Sequence, residues 1–363
     1  MRILISSQDL TNFGGVQMFA RDLARKLLQW GHEPIMHSPR LGAVANDLRK
    51  WTIPVTSDLR TITVPPDAII GNYHLGTMTA LQQFPRTPAI FVCHTSTEIV
   101  PRGPRIRRYV AVDHACWSHM VYECGVERER VELVLNSVDL TRFPARDALP
   151  PRPRRALLFG NQFSGNGPWR AIETACRQQG IVTEIIGRGV GKPEPHPEKI
   201  LLEYDIVFAR ARSALEAMAT GAATILAGPS RMGTLVSAAD VARYRPDNFG
   251  RRALTTPIDV ESVSRELARY DPADAAEVCR IVRETASLEL AAAQFVRLAE
   301  EAAADAEPFD AAREHAAMVT YLSSLEADPR QRIDRLHQWV TNLPVIGRLA
   351  AWTGRRLMRA LRF

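Results

Sequence analysis

Short apolar runs alternate with longer segments of helical periodicity along most of the chain. RILISS, at the start, has the pattern of a buried strand. VQMFARDLARKLLQWG then repeats apolar residues every three to four positions and stops at Gly31, as an amphipathic helix does. Further strand-like runs lie at 34–36, 68–70, 89–92 and 109–112, followed by a helix predicted over about 115–123 and a strand in VELVLN. Strands separated by helical patterns imply parallel βαβ units. PARDALPPRPRR, dense in Pro and Arg, breaks this pattern and reads as a linker.

The same alternation restarts beyond the linker. ALLFGN and VTEIIG read as strands around a helix at 169–178. The run 206–209 is short, apolar and bounded by charge, as a buried strand is. Residues 213–220 are strong helix formers ending at Gly221, 223–227 form another strand pattern, and 260–326 is mostly helical. The predicted fold class is α/β, with two Rossmann-like domains facing across a cleft. The domains are placed at 1–146 and 156–327, joined by the linker 147–155. Asp328-Pro329 sets off a tail, 328–363.

At 363 residues the chain exceeds what one core usually supports, in keeping with two domains. With 46% hydrophobic and 24% charged residues, it has the composition of a folded protein. Its five cysteines form no C-x-x-C pair and no regular framework. Free thiols in a reducing compartment are therefore expected, not a disulfide scaffold or a zinc site. MRILISSQDL has too short an apolar run for a signal peptide, and no segment reaches the length of a membrane-spanning helix. A soluble, cytoplasmic body is the expectation.

Charge is unevenly placed. Residues 330–363 hold eight arginines and one aspartate, a net of +7 against +6 for the whole chain, which leaves the body at about −1. The basic balance belongs to the tail, so no nucleic-acid partner is expected. NLPVIGRLAAWTGRRLMRALRF puts Val345, Leu349 and Trp352 on one helical stripe and Arg348, Arg355, Arg359 and Arg362 opposite, with Arg356 on the apolar side. A basic helix with Trp and Leu on its other face suits an anionic membrane surface, and so peripheral association with the inner (plasma) membrane. A helix packed on the body or on a partner subunit is the alternative.

Four segments carry candidate chemistry. Gly14-Gly15 separates the first strand from the first helix, where amide N–H groups can face an anion, or simply make a tight turn. His94 ends the strand AIFVCH, and His74 stands at the preceding strand end. Glu216 is predicted in about the first turn of the helix after 206–209, at the carboxyl edge of a sheet, where open α/β folds bind ligands. A glutamate favoured by the helix dipole is the plainer reading. VERERVELVLNSVDLTRF ends in an N-x-V-D-x-x-x-F pattern made by Asn136, Val138, Asp139 and Phe143.

Together SSQDLTNFGGVQMFARDLARKLLQWGHE, IFVCHTST, the N-x-V-D segment and YDIVFARARSALEAMATGAATIL make residues 1 to about 300 resemble the GT-B retaining glycosyltransferases of family 4, which use nucleotide sugars. The resemblance implies transfer of a hexose-type sugar from a nucleotide-diphosphate donor, without a metal or other cofactor. His94 would lie beside the reacting sugar as the catalytic position. Gly14, Gly15, Gly187, Arg212, Glu216, Gly233 and Thr234 would meet the donor, with Glu216 accepting from the ribose hydroxyls and GPSRMGTLV forming a donor loop. A lipid-linked or cell-surface glycan is the implied acceptor, in polysaccharide biosynthesis.

Two departures stand out. The family's second glutamate, eight residues before Glu216, is Phe208 here. The Arg and Lys that follow the first strand of the second domain are replaced by Asn161 and Gln162, with the glycine loop Gly165-Asn166-Gly167 and only Arg170 as a cation. Arg212 can serve the diphosphate or be a solvated helix-start residue. The departures keep open a catalytically silent scaffold subunit of a membrane-associated polysaccharide complex. A nucleotide-sugar epimerase shares the two-domain fold, although the EAMATG motif and the N-x-V-D pattern favour the transferase.

Overall fold

The computed structural model describes residues 1–163, 167, 169–305 and 308–327. Chain order in the first lobe is β1 (Arg2–Ser6), α1 (Gly15–Gln29), β2 (Glu33–His37), α2 (Ala43–Lys50), β3 (Val55–Thr56), β4 (Ala68–Gly71), α3 (His74–Gln83), β5 (Ala89–Cys93), β6 (Ile106–Ala111), α4 (His114–Ser118) and β7 (Val131–Leu133). The strands form a seven-stranded sheet, β3-β2-β1-β4-β5-β6-β7, parallel throughout. Strands buried on both faces explain the continuous apolar runs: Ile3, Leu4, Ile5 and Ala89–Cys93 have no exposure. The predicted helix at 115–123 is α4 continued by a wider π-type turn, His119–Glu123, and only Val131–Leu133 of VELVLN pairs as a strand.

The second lobe runs β8 (Arg155–Phe159), α5 (Trp169–Gln178), β9 (Val182–Ile186), β10 (Ile206–Ala209), α6 (Arg212–Ala219), β11 (Ala223–Ala227), β12 (Arg231–Leu235), α7 (Ala238–Tyr244), β13 (Thr256–Pro257), α8 (Val260–Leu267), α9 (Pro272–Thr285) and α10 (Leu288–Ala304). Its sheet order is β13-β12-β11-β10-β8-β9, with β12 antiparallel to both neighbours. GPSRMGTLV was expected to be a loop. Only its start turns, with Gly228 N bonded to Arg231 O at 2.8 Å, and the remainder is the hairpin strand β12. Val207 and Ala209 face the layer holding α6 and α9, while Ile206 and Phe208 face the opposite layer, with α5 and α8. The period of two along β10 therefore turns Phe208 away from α6.

α10 returns to the first sheet. It packs on α1, β4, β5 and β6, with Phe295 edge-on to Phe19 and Glu289 paired to Lys26 Nζ at 2.6 Å. The sequence-based division placed this helix in the second domain, whereas its contacts lie on the first lobe. Both sheets belong to one compact unit, Met1–Val100 with Arg105–Pro308. Pro101–Pro104 and the chain from Phe309 make a second unit, whose described helix is α11 (Ala311–Ala327). Among the described residues no helix is long and apolar enough to cross a membrane.

Candidate functional site

In the first sheet β1 lies between β2 and β4, and in the second β8 lies between β9 and β10. At such points the strand order reverses and the loops at the carboxyl ends part, leaving a crevice. The segments leaving β1, β8, β9 and β10 enclose a cavity of about 430 Å³, lined by Phe13, Gly14, Gly15 and Met18 from the first lobe and by Asn161, Gly187, Arg188, Pro195, Arg212, Ser213 and Glu216 from the second. A wider hollow of about 700 Å³ lies beside the edge strand β3, away from these loops.

Donors converge on the cavity from both lobes. α1 begins after Gly14 with no side-chain cap and no acidic residue in its first turn, so its amino-terminal N–H groups and the positive end of its dipole stay available. A Cβ on Gly14 would stand 3.8 Å from Arg188 Nη2, so this arginine reaches across to the glycine loop. Arg188 has no carboxylate partner among the described residues. Its backbone N is held by Asn161 Oδ1 at 3.0 Å. Gly187 has φ +143°, and a Cβ there would come 2.2 Å from Gly160 O; only glycine lets the two loops close in this way.

Below these loops lies a buried ionic cluster. Arg212, the first residue of α6, donates Nε to Glu216 Oε1 at 2.8 Å and Nη2 to Asp22 of α1. Asp22, 2% exposed, also accepts from Arg21 and lies 3.7 Å from Arg142 Nη1, whose Nη2 bonds Glu198 at 2.7 Å. Burial works to raise the pKa of Asp22, but Arg212, Arg21 and Arg142 together hold it below the ordinary value. Burial raises that of Glu216 above the usual range, against the pull of Arg212 and Arg142. Glu216 Oε2 has no hydrogen bond to the described residues, and Glu216 lines the cavity.

No protein-family profile matches this chain, and no curated protein matches it by sequence. Solved structures do match. A glycosyltransferase from Rickettsia africae aligns with a TM-score of 0.61 at 13% identity, over 83% of this chain and 98% of that one. HepE of Anabaena, solved with UDP and glucose, aligns at 0.59 and 14%, over 83% and 100%. The fold is GT-B. It does not by itself select an activity: a Listeria monocytogenes structure provisionally assigned as a UDP-N-acetylglucosamine 2-epimerase aligns at 0.51 and 11%, over 81% and 94%.

Within this GT-B frame Gly14, Gly15, Gly187, Arg212 and Glu216 come together, as does Asn161. Glu216 stands in the second turn of α6 rather than the first, because the helix starts at Arg212. Arg212 is not a solvated helix-start residue, since two carboxylates hold it. Gly233 and Thr234 do not line the cavity: they are inside β12, where a Cβ on Gly233 would meet Ala253 O at 2.4 Å. Arg170, the second residue of α5, is exposed and also off the cavity wall. Gly165 and Asn166 lie outside the described residues, as do Arg348, Trp352, Arg355, Arg359 and Arg362.

His94 stands at the end of β5 but not among the cavity-lining residues. Its ring packs edge-on against Phe19, with centroids 5.2 Å apart, and its Nε2 lies 2.9 Å from Asn72 Oδ1. Burial pushes its pKa down to about 4, so the ring is neutral at pH 7 and Nε2 is the donor to the Asn72 oxygen. In the same loop Glu98 accepts from His94 N at 3.1 Å, and burial pushes its carboxyl up to about 8. His74 is buried at the start of α3, and His196 pairs with Glu198 at 3.1 Å.

Asp22, Arg142 and Arg188 had not been singled out. Signals for two of them exist: Asp22 falls between Phe19 and Leu23 on a stripe predicted to be buried, and Arg188 sits between glycines directly after a strand. Arg142 offered none, since its neighbours are brought to it by the fold. Among the described residues no three His, Cys, Asp or Glu side chains gather as a metal site requires.

Proposed function

We propose that the protein is a glycosyltransferase moving a sugar from a nucleotide-diphosphate donor, with retention of configuration, onto a lipid-linked or cell-surface glycan at the cytoplasmic face of a membrane. The observation that carries the donor half is Glu216: a buried carboxylate on the helix after β10, one oxygen of which has no hydrogen bond among the described residues. It lies on the same cavity as an uncapped helix start and an arginine with no carboxylate partner among the described residues. A carboxylate oxygen accepts from a ribose hydroxyl, and the spare lone pair of Oε1 takes the second hydroxyl of the diol. The N–H groups of α1 and the guanidinium of Arg188 meet the diphosphate.

As the bond from the anomeric carbon to the diphosphate oxygen breaks, negative charge grows on the leaving group, where these donors stabilise it. The acceptor oxygen bonds to the anomeric carbon, and its proton passes to the departing diphosphate oxygen. Arg188 supplies from the β9 loop the cation that the loop after β8 lacks. Two organic positive ends face the diphosphate, so the reading calls for no resident metal or cofactor. His94, neutral at pH 7, is assigned to the sugar or acceptor side. The acceptor and the membrane rest on the family resemblance and on the arginine-rich tail, and the HepE complex with UDP and glucose makes uridine nucleotides the first to try.

The test is thermal stabilisation by UDP, GDP, ADP and dTDP and by their sugars, in the wild type and in Glu216→Gln. A ligand at a hundredfold its dissociation constant adds about 2.7 kcal/mol. One nucleotide family is expected to stabilise the wild type, and the variant much less. No shift with any of them at millimolar concentration overturns the proposal. A silent scaffold subunit is the second reading, favoured by Phe208 packing in the core where the family has a carboxylate. Nucleotide binding without hydrolysis or transfer of the sugar would select it.

A further inference from the structure

Asp22 belongs to the first lobe, yet its carboxylate is the point on which two arginines from beyond that lobe converge. Arg212 reaches it from α6, and Arg142 from the segment joining the lobes. An arginine and a glutamate four apart on an isolated helix make a solvated pair worth a few tenths of a kcal/mol and free to change rotamer. Here the guanidinium of Arg212 is held at two of its nitrogens, Nε by Glu216 and Nη2 by Asp22. Because the guanidinium is planar, anchoring Nη2 orients Nε. Oε1 of Glu216 is thereby held, and Oε2 is left to the cavity.

We infer that Asp22 is a positioning residue for the donor site: from the first lobe, through Arg212, it holds Glu216 in the orientation that reads ribose. This inference rests on the reading of the cavity as a nucleotide-sugar site. Without the negative charge of Asp22, the guanidinium groups of Arg21, Arg142 and Arg212 would face one another with little exposure, and Glu216 would be the nearest remaining carboxylate for Arg212. Arg212 would then swing onto Glu216 alone and turn its carboxylate, so that Oε2 would no longer face the cavity. Glu216 is properly set only when α1 and α6 are docked, so ribose recognition and lobe docking favour each other. Arg142 extends the same contact to Glu198, close in sequence to Pro195 of the cavity wall.

The experiment compares the affinity of a ribonucleoside diphosphate with that of its 2′- and 3′-deoxy analogues, by calorimetry, in the wild type, Asp22→Asn and Glu216→Gln. Inorganic pyrophosphate serves as a probe without ribose. In the wild type the ribonucleotide should bind about tenfold more tightly than a deoxy analogue, as one lost hydrogen bond to a charged acceptor implies. Asp22→Asn should flatten that preference as Glu216→Gln does, the double variant should be no worse than either, and pyrophosphate affinity should be unchanged. Should Asp22→Asn not fold, Arg212→Lys replaces it, since a single ammonium cannot hold both carboxylates in one plane, and the same flattening is expected.

A variant that weakens the ribonucleotide, its deoxy analogues and pyrophosphate by one common factor has only loosened the fold, and overturns the positioning role. So does a variant that keeps the wild-type ribose preference. A wild type that binds no nucleotide overturns the donor-site reading and this inference together, which separates the two failures.

Discussion

Two residues outside the cavity wall, Ala211 and Glu98, hold conformations or charges that cost stability. Ala211, just before α6, has φ +52° and ψ −133°, a region an L side chain rarely enters, and it is held there by its N–H bond to Phe249 O at 3.0 Å. Such strain costs of order 1–3 kcal/mol, while glycine gives back up to about 1 kcal/mol through the greater freedom of its unfolded chain. Ala211→Gly is therefore expected to raise stability by about 1 kcal/mol in urea denaturation. A loss would show that the conformation is not strained. The strained turn is what starts α6 at Arg212 and aims that residue at Asp22.

Glu98 makes a pH-dependent prediction. Its carboxyl is pushed from 4.5 up to about 8 by burial, although amides of His94 and Thr95 pull the other way. Between those values the folded protein keeps a proton that the unfolded chain has released, so this group's contribution falls as pH rises. Glu98→Gln removes that slope. The variant should exceed the wild type by on the order of 2 kcal/mol at pH 8.5, a figure discounted for partial exposure, and lose the advantage at pH 5. Unfolding free energies at the two pH values decide it. His94, whose pKa is lowered, drains stability only as pH falls from 6.5 toward 4, and it does so equally in both proteins.

Among the elements, the paired loops after β8 and β9 are the most exacting. Gly187→Ala would set a Cβ 2.2 Å from a backbone oxygen at φ +143° and should cost about 2–3 kcal/mol, measured by denaturation. Gly14→Ala meets only the flexible end of Gln17, at 2.4 Å, and should cost under about 1 kcal/mol. Equal costs would mean that the loops are not closed as described. β1–α1 and β10–α6–β11 were legible in sequence because short apolar runs next to segments of clear helical spacing leave one interpretation. β12 was not, because Gly228-Pro229-Ser230 announces a turn without saying that a strand follows, and the paired residues of β12 are chosen by β11 and β13.

For the whole molecule, the N-x-V-D-x-x-x-F pattern acquires a mechanical meaning. Val138 N and O bond Ala286 O and Leu288 N, both at 2.8 Å; Asp139 Oδ1 accepts from Thr141 N and Arg142 N, both at 3.2 Å; and Phe143 has no exposure. The connecting segment is thus pinned to the corner where α9 passes to α10. The basic tail makes the remaining prediction at this scale. Truncation after residue 327 should abolish sedimentation with anionic phospholipid vesicles at low salt while leaving nucleotide-induced stabilisation intact. Unchanged sedimentation would sink the membrane assignment, and loss of nucleotide binding would tie the tail to the site instead.

Apart from Gly187 and Arg212, which the family resemblance supplied together with Gly233 and Thr234, the chain's own pattern was enough to predict two α/β lobes, their order, and Gly14, Gly15 and Glu216 at the carboxyl edges of strands. These are local properties, set by periodicity and by the residues a turn or helix start requires. What surrounds them is not local. Asp22 and Arg212 are 190 residues apart, and Gly14 meets Arg188 only because two sheets are docked. The same separation hid the return of α10 to the first lobe and the turning of Phe208 into the core, since a strand's period shows that faces alternate but not which layer each one meets. Charge pairing and burial across the lobes come from packing, and only the tertiary structure could decide them.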